Sequence, residues 1–201
     1  MKKAPLIVIE GIDGAGKTTI AKWLVEWFRE KGLEALYTFE PTDSWFVDAL
    51  KKYSDIRSAE LDALTYAADR IVHLRREVIP ALENGVIVVM DRYYYSSMAY
   101  QGAQGAPVEW VREINRYALE PDIAIYIDVD PETGLSRLKK GVGRRFPEYE
   151  KISLLKKVRS IYLDLVEKGY LLMVDGRKSI DEVKKDVLKL VLSRLSSFSN
   201  F

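Results

Sequence analysis

The residues with the clearest chemistry lie near the start of the chain, in the segment Gly11-Ile12-Asp13-Gly14-Ala15-Gly16-Lys17-Thr18. Its glycines allow a tight turn whose backbone N–H groups face one concavity, and the apolar run at residues 6–10 before it is typical of a strand. A helix beginning at about Thr18 would point its positive dipole end at the same place. Lys17 can reach the β- and γ-phosphates of a nucleotide, and Thr18 is the expected ligand for the accompanying Mg²⁺. The segment is therefore a P-loop, and it predicts binding of ATP or GTP.

A carboxylate and a guanidinium follow the apolar run at residues 86–90, at the end of an expected strand. Ligands of parallel sheets bind outside the carboxyl ends of the strands. This position predicts that Asp91 lies beside the P-loop and holds Mg²⁺ together with Thr18, while Arg92 points towards phosphate. The alternative is an aspartate that caps the turn after the strand.

A basic segment spans residues 137–146 and contains Gly141 and Gly143 within a cluster of cations. A charge run of this kind is usually a solvated surface. Here the segment follows a strand and its helix, and the glycines would let it close over bound phosphates. The favoured hypothesis is a mobile basic lid at about residues 139–152, in which Arg144 and Arg145 reach the phosphates.

Other candidates have simpler structural interpretations. Tyr66 and Arg70 are four residues apart in a helical pattern, so a ring and a guanidinium could contact one ligand side by side. Taken alone, such a pair is more often a packing contact or a cation–π pair. His73 is expected at the surface or as a satisfied core residue, and Asp130 before a proline is expected to cap a helix. The tryptophans are expected to pack: Trp23, Trp27, Trp45 and Trp110.

Composition excludes several classes of function. The chain has 201 residues, 31 Lys plus Arg against 30 Asp plus Glu, no cysteine and one histidine. A net charge near +1 gives no general attraction to nucleic acids or acidic membranes. The absence of cysteine excludes thiol chemistry and cysteine metal sites, and a single histidine excludes a His-based zinc site. No apolar run approaches the ~18 residues that span a bilayer. We expect one cytoplasmic domain over residues 1–201.

The order of the elements predicts the fold class. Apolar strands are expected at 6–10, 35–39, 86–90, 123–127 and 170–174, and each is nearly uninterrupted, as in strands buried on both faces. Right-handed crossovers then give an α/β fold of the P-loop NTPase type, with a five-stranded parallel sheet and helices on both faces. The tail at 196–201 is expected to fray. Helices are expected from about 18 to 31, over 58–84 with a kink before Pro80, and near 107–118, 131–140, 153–168 and 180–195.

Taken in order, these segments resemble the thymidylate (dTMP) kinase family over nearly the whole chain. The P-loop with an acidic third residue, Asp13, resembles that of the family. The segment at residues 91–101 resembles its DR[YH]xxSxxAYQ motif through Asp91, Arg92, Tyr93, Ser96, Ala99, Tyr100 and Gln101. The resemblance implies phosphoryl transfer from ATP·Mg²⁺ to dTMP and a homodimer. Transfer of this kind needs positioning and cations but no general base.

The resemblance also implies roles for individual residues. In the family, an aromatic ring at the position of Tyr66 stacks on thymine and an arginine at that of Arg70 bonds its carbonyl. It implies that Arg92 holds the acceptor phosphate, and that Lys17 and the lid arginines act in catalysis. The implied ATP site comprises Gly11, Ile12, Asp13, Gly14, Ala15, Gly16, Lys17, Thr18, Thr19 and Arg177. The implied dTMP site comprises Asp13 near the 3′-hydroxyl, Glu40, Pro41, Tyr66, Arg70, Arg92, Ser97, Tyr100 near the 2′ position, Gln101 and Tyr162.

Two departures from the family pattern leave alternatives open. Gly14 and Ala15 stand where one subgroup has an arginine inside the P-loop, and Phe39 stands where many relatives have an arginine before Glu-Pro. Acceptor identity is therefore less firmly implied, and a kinase for another nucleoside monophosphate or a nucleoside is the main alternative. A nucleotide-dependent switch or assembly ATPase is a second, although the sequence has no Asn-Lys-x-Asp guanine motif.

Overall fold

In the computed structural model, which describes residues 4–138 and 151–195, five parallel strands form one sheet. Their order across the sheet is β2-β3-β1-β4-β5. The central strands are apolar along their whole length and buried on both faces, as expected for a parallel sheet covered by helices. The strands are β1 (Leu6–Glu10), β2 (Ala35–Phe39), β3 (Ile87–Asp91), β4 (Ile123–Asp128) and β5 (Leu172–Asp175).

Helices cover both faces of this sheet. Helix α1 packs on β2 and β3 with α9 beside it, whereas α5 packs with α3, α6 and α8. The right-handed crossovers usual for parallel strands put these two groups of helices on opposite faces of the sheet. In chain order the helices are α1 (Lys17–Glu30), α2 (Trp45–Lys52), α3 (Ala59–His73), α4 (Ile79–Glu83), α5 (Tyr94–Gln104), α6 (Val108–Ile114), α7 (Pro131–Leu138), α8 (Ile152–Glu167) and α9 (Ile180–Leu195), with a short 3₁₀ turn at Ser54–Ile56.

The predicted α/β fold with a five-stranded parallel sheet is confirmed, and α9 has the predicted bounds. The cap at Asp130 is also confirmed, since its carboxylate accepts from the backbone N–H of Thr133 at 2.8 Å. The helix expected over 58–84 is divided by a π-helical turn at Leu74–Val78. Pro80 follows closely and has no N–H to donate to the carbonyl four residues earlier, which explains a break at this point.

Two helices were not predicted, α2 and α5. Helix α5 has three tyrosines, two serines and one glycine among its eleven residues, and seven of the eleven are buried, so it shows neither strong helix propensity nor a polar face. The prediction that all four tryptophans pack was wrong for Trp45, which is 72% exposed and stacks on its neighbour Phe46, with 3.9 Å between the ring centroids. In the described part of the chain, no helix combines the length and apolar character required to cross a bilayer.

The sheet brings the predicted polar residues to one edge. All five strands run in the same direction, so their carboxyl ends share that edge. Ile9 pairs with Asp91 and Asp128 pairs with Asp175 in the registers of neighbouring strands. The P-loop, the segment after β3 and the loop after β5 therefore lie around one cleft.

Candidate active site at the carboxyl edge of the sheet

The P-loop has the backbone conformation that its glycines predict. Gly14 and Gly16 have φ angles of +79° and +94°, in the left-handed region where a side chain would be strained. Helix α1 begins at Lys17, one residue earlier than predicted. Among the described residues no side chain caps its first turn, and no acidic residue lies within it. The positive end of α1 is thus available to an anion.

Lys17 is buried beneath this loop. Its Nζ donates to the carbonyl oxygen of Ile12 at 2.9 Å, and the residue is only 6% exposed. Burial, aided by the nearby charge of Arg92, lowers the pKa of Lys17 from 10.5 to about 8. Carboxylates at Asp13 and Asp91 oppose this shift. The ammonium group is therefore held without full solvation, ready to gain from a bound phosphate.

Thr18 and Asp91 meet as predicted. The hydroxyl of Thr18 donates to Oδ2 of Asp91, and Oδ1 of Asp91 is buried with no hydrogen-bond partner among the described residues. A buried carboxylate oxygen without a donor, beside a hydroxyl, fits the oxygen ligands that Mg²⁺ prefers. No group of three or more His, Cys, Asp or Glu within the described ranges could hold a metal alone.

Arg92 follows β3 in an unusual conformation, with φ at +69° for a non-glycine residue. Such outliers are concentrated at functional sites. Its guanidinium donates to the carbonyl of Gly11 and the hydroxyl of Ser96, both at 3.1 Å, and forms an ion pair with Asp13. It also lies over the ring of Tyr100, 5.1 Å from the centroid. Arg92 is thus fixed against the P-loop.

Asp13 is the acidic third residue of the P-loop. Burial opposes its ionisation, but the charges of Arg92 and Lys17 prevail and lower the pKa of Asp13. Oδ2 of this carboxylate also lies 3.4 Å from the hydroxyl of Tyr100. The P-loop, Arg92 and Tyr100 therefore form one connected polar group.

Glu10 is an important residue that the sequence analysis treated only as a strand end. The carboxylate is fully buried, and it accepts from the backbone N–H groups of Tyr93 and Ser96 at 2.8 and 3.1 Å. The hydroxyls of Ser96 and Tyr162 donate to its other oxygen at 2.6 and 2.8 Å. Burial raises the pKa of Glu10, although these bonds and Arg92 oppose the shift. The sequence feature that could have revealed this role is a carboxylate at the end of an otherwise apolar strand.

Tyr162 belongs to this buried network and has no exposed surface. The residue was predicted to contact dTMP directly. Its ring stacks on Tyr126, with centroids 4.6 Å apart, and its hydroxyl contacts Glu10 and Ser96, so the contact with dTMP stays a prediction. In this conformation Tyr162 supports the residues that hold Arg92.

The predicted acceptor residues come together around Arg70. Its Nε donates to Glu40 at 2.7 Å, Nη1 to Asn115 at 2.5 Å and Nη2 to Ser97 at 3.3 Å. The guanidinium carbon lies 5.3 Å from the ring centroid of Tyr93. Asn115 was not predicted, and no local pattern marks it. Its own amide donates to the carbonyl of Val111 at 2.8 Å, which fixes its oxygen towards Arg70.

The remaining acceptor candidates surround this group. Tyr66 shares the buried side of α3 with Arg70, as predicted, and packs with Val47 and Leu50 of α2. Gln101 is also buried, on α5 beside Ser97 and Tyr100. The Glu40–Pro41 loop is followed by Thr42, whose backbone N–H donates to the buried carboxylate of Asp69 at 2.8 Å. Asp69 was another residue without a predicted role.

A cavity of about 240 Å³ opens beside the P-loop. Gly176 lies where any Cβ would come within 2.5 Å of Ile127, so only glycine fits there. The side chain of the predicted Arg177 turns to Asp175 in a two-point ion pair, with both distances at 2.8 Å. The cavity is lined by Gly14, Ala15, Gly16, Ile20, Arg137, Gly176, Lys178, Ile180 and Val183.

The predicted lid residues lie outside the described ranges, as do residues 196–201 of the tail. Arg144 and Arg145 therefore stay predictions. Helix α7, which precedes the lid segment, packs directly on the P-loop: a Cβ on Gly134 would lie 2.6 Å from the carbonyl oxygen of Asp13. Arg137 on the same helix donates to the carbonyl of Gly176 at 3.0 Å.

Comparison with known proteins identifies the family. The profile of the thymidylate kinase family matches residues 9–187. A probable thymidylate kinase of Staphylothermus marinus is 58% identical over 94% of this chain and 95% of its own length. One of Pyrococcus abyssi is 42% identical over 94% and 96%, and a thymidylate kinase of Desulfotalea psychrophila 37% over 92% and 93%. This chain, with its P-loop and its Asp91-Arg92 segment at one edge of the sheet, belongs to the thymidylate kinase family of ATP-dependent nucleotide kinases.

Proposed function

We propose that this chain transfers the γ-phosphoryl group of ATP to the 5′-phosphate of dTMP, giving dTDP and ADP. Family membership supports the reaction. The structural observation that carries it is the pair formed by Arg92 and Asp13, which joins the P-loop to the segment expected to hold the acceptor phosphate. One residue thus stands between a donor site and an acceptor site, as an in-line transfer between two nucleotides requires.

On the donor side, the P-loop backbone and the first turn of α1 bind the phosphates of ATP. The phosphate-binding residues run from Gly11 to Thr19, and the charge of Lys17 acts on the β- and γ-phosphates. The cavity beside Gly176 accepts the adenine ring, and Arg137 and Lys178 border it. Arg177 contributes through its backbone and its ion pair with Asp175, which fix the shape of this loop.

Thr18 and Asp91 hold Mg²⁺ in this proposal, together with oxygens of the nucleotide. The ion, when bound, neutralises charge on the β- and γ-phosphates. The buried Oδ1 of Asp91, which has no donor in the described part of the chain, is the structural support. Thr18 would exchange its bond to Asp91 for this shared role, and Asp91 keeps its position at the end of β3.

On the acceptor side, Arg92 binds the 5′-phosphate. The guanidinium fork suits a phosphate, and an incoming dianion competes with Asp13 for it. Asp13 is then free to accept from the 3′-hydroxyl of the sugar, and Tyr100 occupies the space that a 2′-hydroxyl would need. The thymine ring lies against Tyr66, with Arg70, Ser97, Gln101 and the Glu40–Pro41 loop around it.

Catalysis rests on charge and alignment. The attacking phosphate oxygen is already ionised, so no general base is required. Lys17 and Arg92 stabilise charge on the transferring group from two sides, and Arg144 and Arg145 add cations from the proposed lid. Water is excluded when such a lid closes, which favours transfer over hydrolysis.

The expected homodimer and cytoplasmic location are also part of the proposal. Large apolar side chains stay exposed on α2, α3 and the turn between them, and a second copy would cover them. They are Trp45 (72%), Tyr53 (50%), Ile56 (62%) and Leu64 (50%). Size-exclusion chromatography with light scattering tests the dimer, and a single species of about 23 kDa, the mass of one chain, would reject it.

The decisive assay offers acceptors in parallel. ADP production from ATP and Mg²⁺ is measured with dTMP, dUMP, dCMP, dGMP, ribo-TMP and thymidine at equal concentrations. The proposal expects the highest kcat/KM with dTMP and a large loss with ribo-TMP, because Tyr100 crowds the 2′ position. A higher kcat/KM with another monophosphate, or with thymidine itself, would replace dTMP as the substrate.

A further inference from the structure

His73 is the only histidine in the chain, and the proposed reaction makes no use of it. It is the last residue of α3, directly before the π-helical turn, and its side chain is 2% exposed. The imidazole makes three close polar contacts. Nδ1 lies 3.1 Å from Oε1 of Glu40, and Nε2 lies 2.8 Å from the hydroxyl of Thr38 and 3.3 Å from Oε2 of Glu77.

Glu40 links this histidine to Arg70. One carboxylate oxygen takes the contact from His73, and the other accepts from Nε of Arg70 at 2.7 Å. A carboxylate can only accept, so Nδ1 of His73 is the donor. Because the two oxygens share one rigid plane, a bond that fixes the first also fixes the direction of the second. His73 thereby fixes the plane of Glu40.

The guanidinium of Arg70 is planar as well, so its orientation follows that of Glu40. With Nε held by Glu40, Nη1 and Nη2 point to Asn115 and Ser97. A guanidinium has five N–H donors in a fixed fork, and a small rotation about Nε would move both ends. Arg70 binds a base carbonyl only if this rotation is restrained.

We propose that His73 is a positioning residue for recognition of the acceptor base, acting through Glu40 on Arg70. This inference rests on the proposed function, in which Arg70 contacts thymine. The hydroxyl of Thr38 on β2, 2.8 Å from Nε2, holds the far side of the ring, so that Nδ1 faces Glu40. Glu77, an exposed residue on the turn, lies 3.3 Å from the same ring nitrogen.

A purely structural histidine makes a different prediction. If His73 only satisfied the core, its replacement would lower the melting temperature and leave the affinity for dTMP unchanged in the protein that stays folded. A positioning residue changes KM for dTMP and not KM for ATP, because the P-loop lies on other elements. The split between the two KM values therefore separates the two roles.

Two replacements reproduce the two ring nitrogens separately. In His73→Asn the amide sits near the position of Nδ1 and can still donate to Glu40; in His73→Gln the amide extends to the position of Nε2, towards Thr38, and leaves Glu40 without this donor. Val78→Ala is the matched control, since Val78 is buried one turn further on and has no polar group. Arg70→Ala is the reference for loss of the base contact.

Steady-state kinetics with dTMP and ATP, and thermal unfolding, are measured for all of these proteins. We expect His73→Gln to raise KM for dTMP about tenfold, the usual effect of one hydrogen bond to a charged group, with KM for ATP unchanged. His73→Asn should stay within about twofold of wild type, and Val78→Ala should lower only the melting temperature.

The outcomes are separable. If Arg70→Ala raises KM for dTMP but His73→Gln does not, the inference about His73 is overturned and the proposed function stands. If the wild type has no turnover with dTMP, both fall. Should the histidine variants not fold, Thr38→Val removes the hydroxyl that fixes the ring at constant volume. It should raise KM for dTMP about threefold, and an unchanged value would overturn the inference.

Discussion

Because the ammonium of Lys17 is buried, we predict that replacing Lys17 with an apolar residue raises the free energy of unfolding of the ligand-free protein. Lys17 is 6% exposed, and burial together with Arg92 lowers its pKa from 10.5 to about 8. At about 1.4 kcal/mol for each pKa unit, this corresponds to a cost of about 3 kcal/mol for holding the charge in the ligand-free protein. The bond to the carbonyl of Ile12 offsets about 1–2 kcal/mol. Lys17→Met should therefore stabilise the ligand-free protein by about 2 kcal/mol.

The pH dependence of this difference has a defined sign. A lysine with a lowered pKa binds its proton more weakly in the folded than in the unfolded state, so the free energy of unfolding rises between about pH 8 and 10.5. Below pH 8 Lys17 is charged in both the folded and the unfolded state, so the full free-energy cost of burying its charge is present. The advantage of Lys17→Met should be largest at pH 7 and should shrink as pH rises through 8 towards 10.5.

Thermal unfolding without nucleotide measures the effect. For a chain of this length, about 2 kcal/mol corresponds to a rise of about 4–8 °C in melting temperature at pH 7. Lys22→Met is the control, because Lys22 is an exposed lysine on the same helix and should change little. Turnover of Lys17→Met should fall by orders of magnitude, since we propose that the charge of Lys17 acts on the transferring phosphoryl group.

Three results would refute this reasoning about Lys17. A melting temperature of Lys17→Met below that of the wild type at pH 7 would mean that the ammonium is stabilising where it lies. A difference that grows from pH 8 to 10 would mean that another group is titrating. Near-normal turnover in the folded variant would reject the assignment of Lys17 to the phosphates.

Three further predictions concern the metal, the lid and the donor side. Asp91→Asn should raise the Mg²⁺ concentration required for half-maximal activity by about 10–100-fold, in a titration at fixed ATP, and an unchanged requirement would remove Asp91 from the metal site. Arg145→Ala should lower kcat by about 10³–10⁵ with modest effects on either KM, and unchanged kcat in Arg144→Ala, Arg145→Ala and the double variant would eliminate a catalytic lid. Gly134→Ala should raise KM for ATP, because its Cβ would lie 2.6 Å from a P-loop carbonyl oxygen, even though alanine favours the helix by about 1 kcal/mol. Ser136→Ala, an exposed change on the same helix, is its control, and equal KM values would contradict the packing argument.

The contacts that the sequence analysis missed are hydrogen bonds between residues far apart in the chain. Glu10 receives bonds from Ser96 and Tyr162, residues 86 and 152 positions away. This carboxylate lies at the beginning of α5, and its support explains why a segment of weak helix propensity forms a helix there. Asn115 meets Arg70 across 45 positions. No local pattern specifies such partners, because they depend on which faces of distant elements pack together.

The sequence by itself determined the strands, the P-loop and the meeting of Thr18 with Asp91. Glycines set backbone angles locally, apolar runs make buried strands, and a parallel sheet must bring its carboxyl ends to one edge. Only the tertiary structure decided the orientation of Arg70, the burial of Tyr162 and the link from His73 to Glu40. Each of these depends on side-chain torsions that are fixed by close packing between segments far apart in the chain. Spacing along the sequence does not reveal which side chains will pack together in this way.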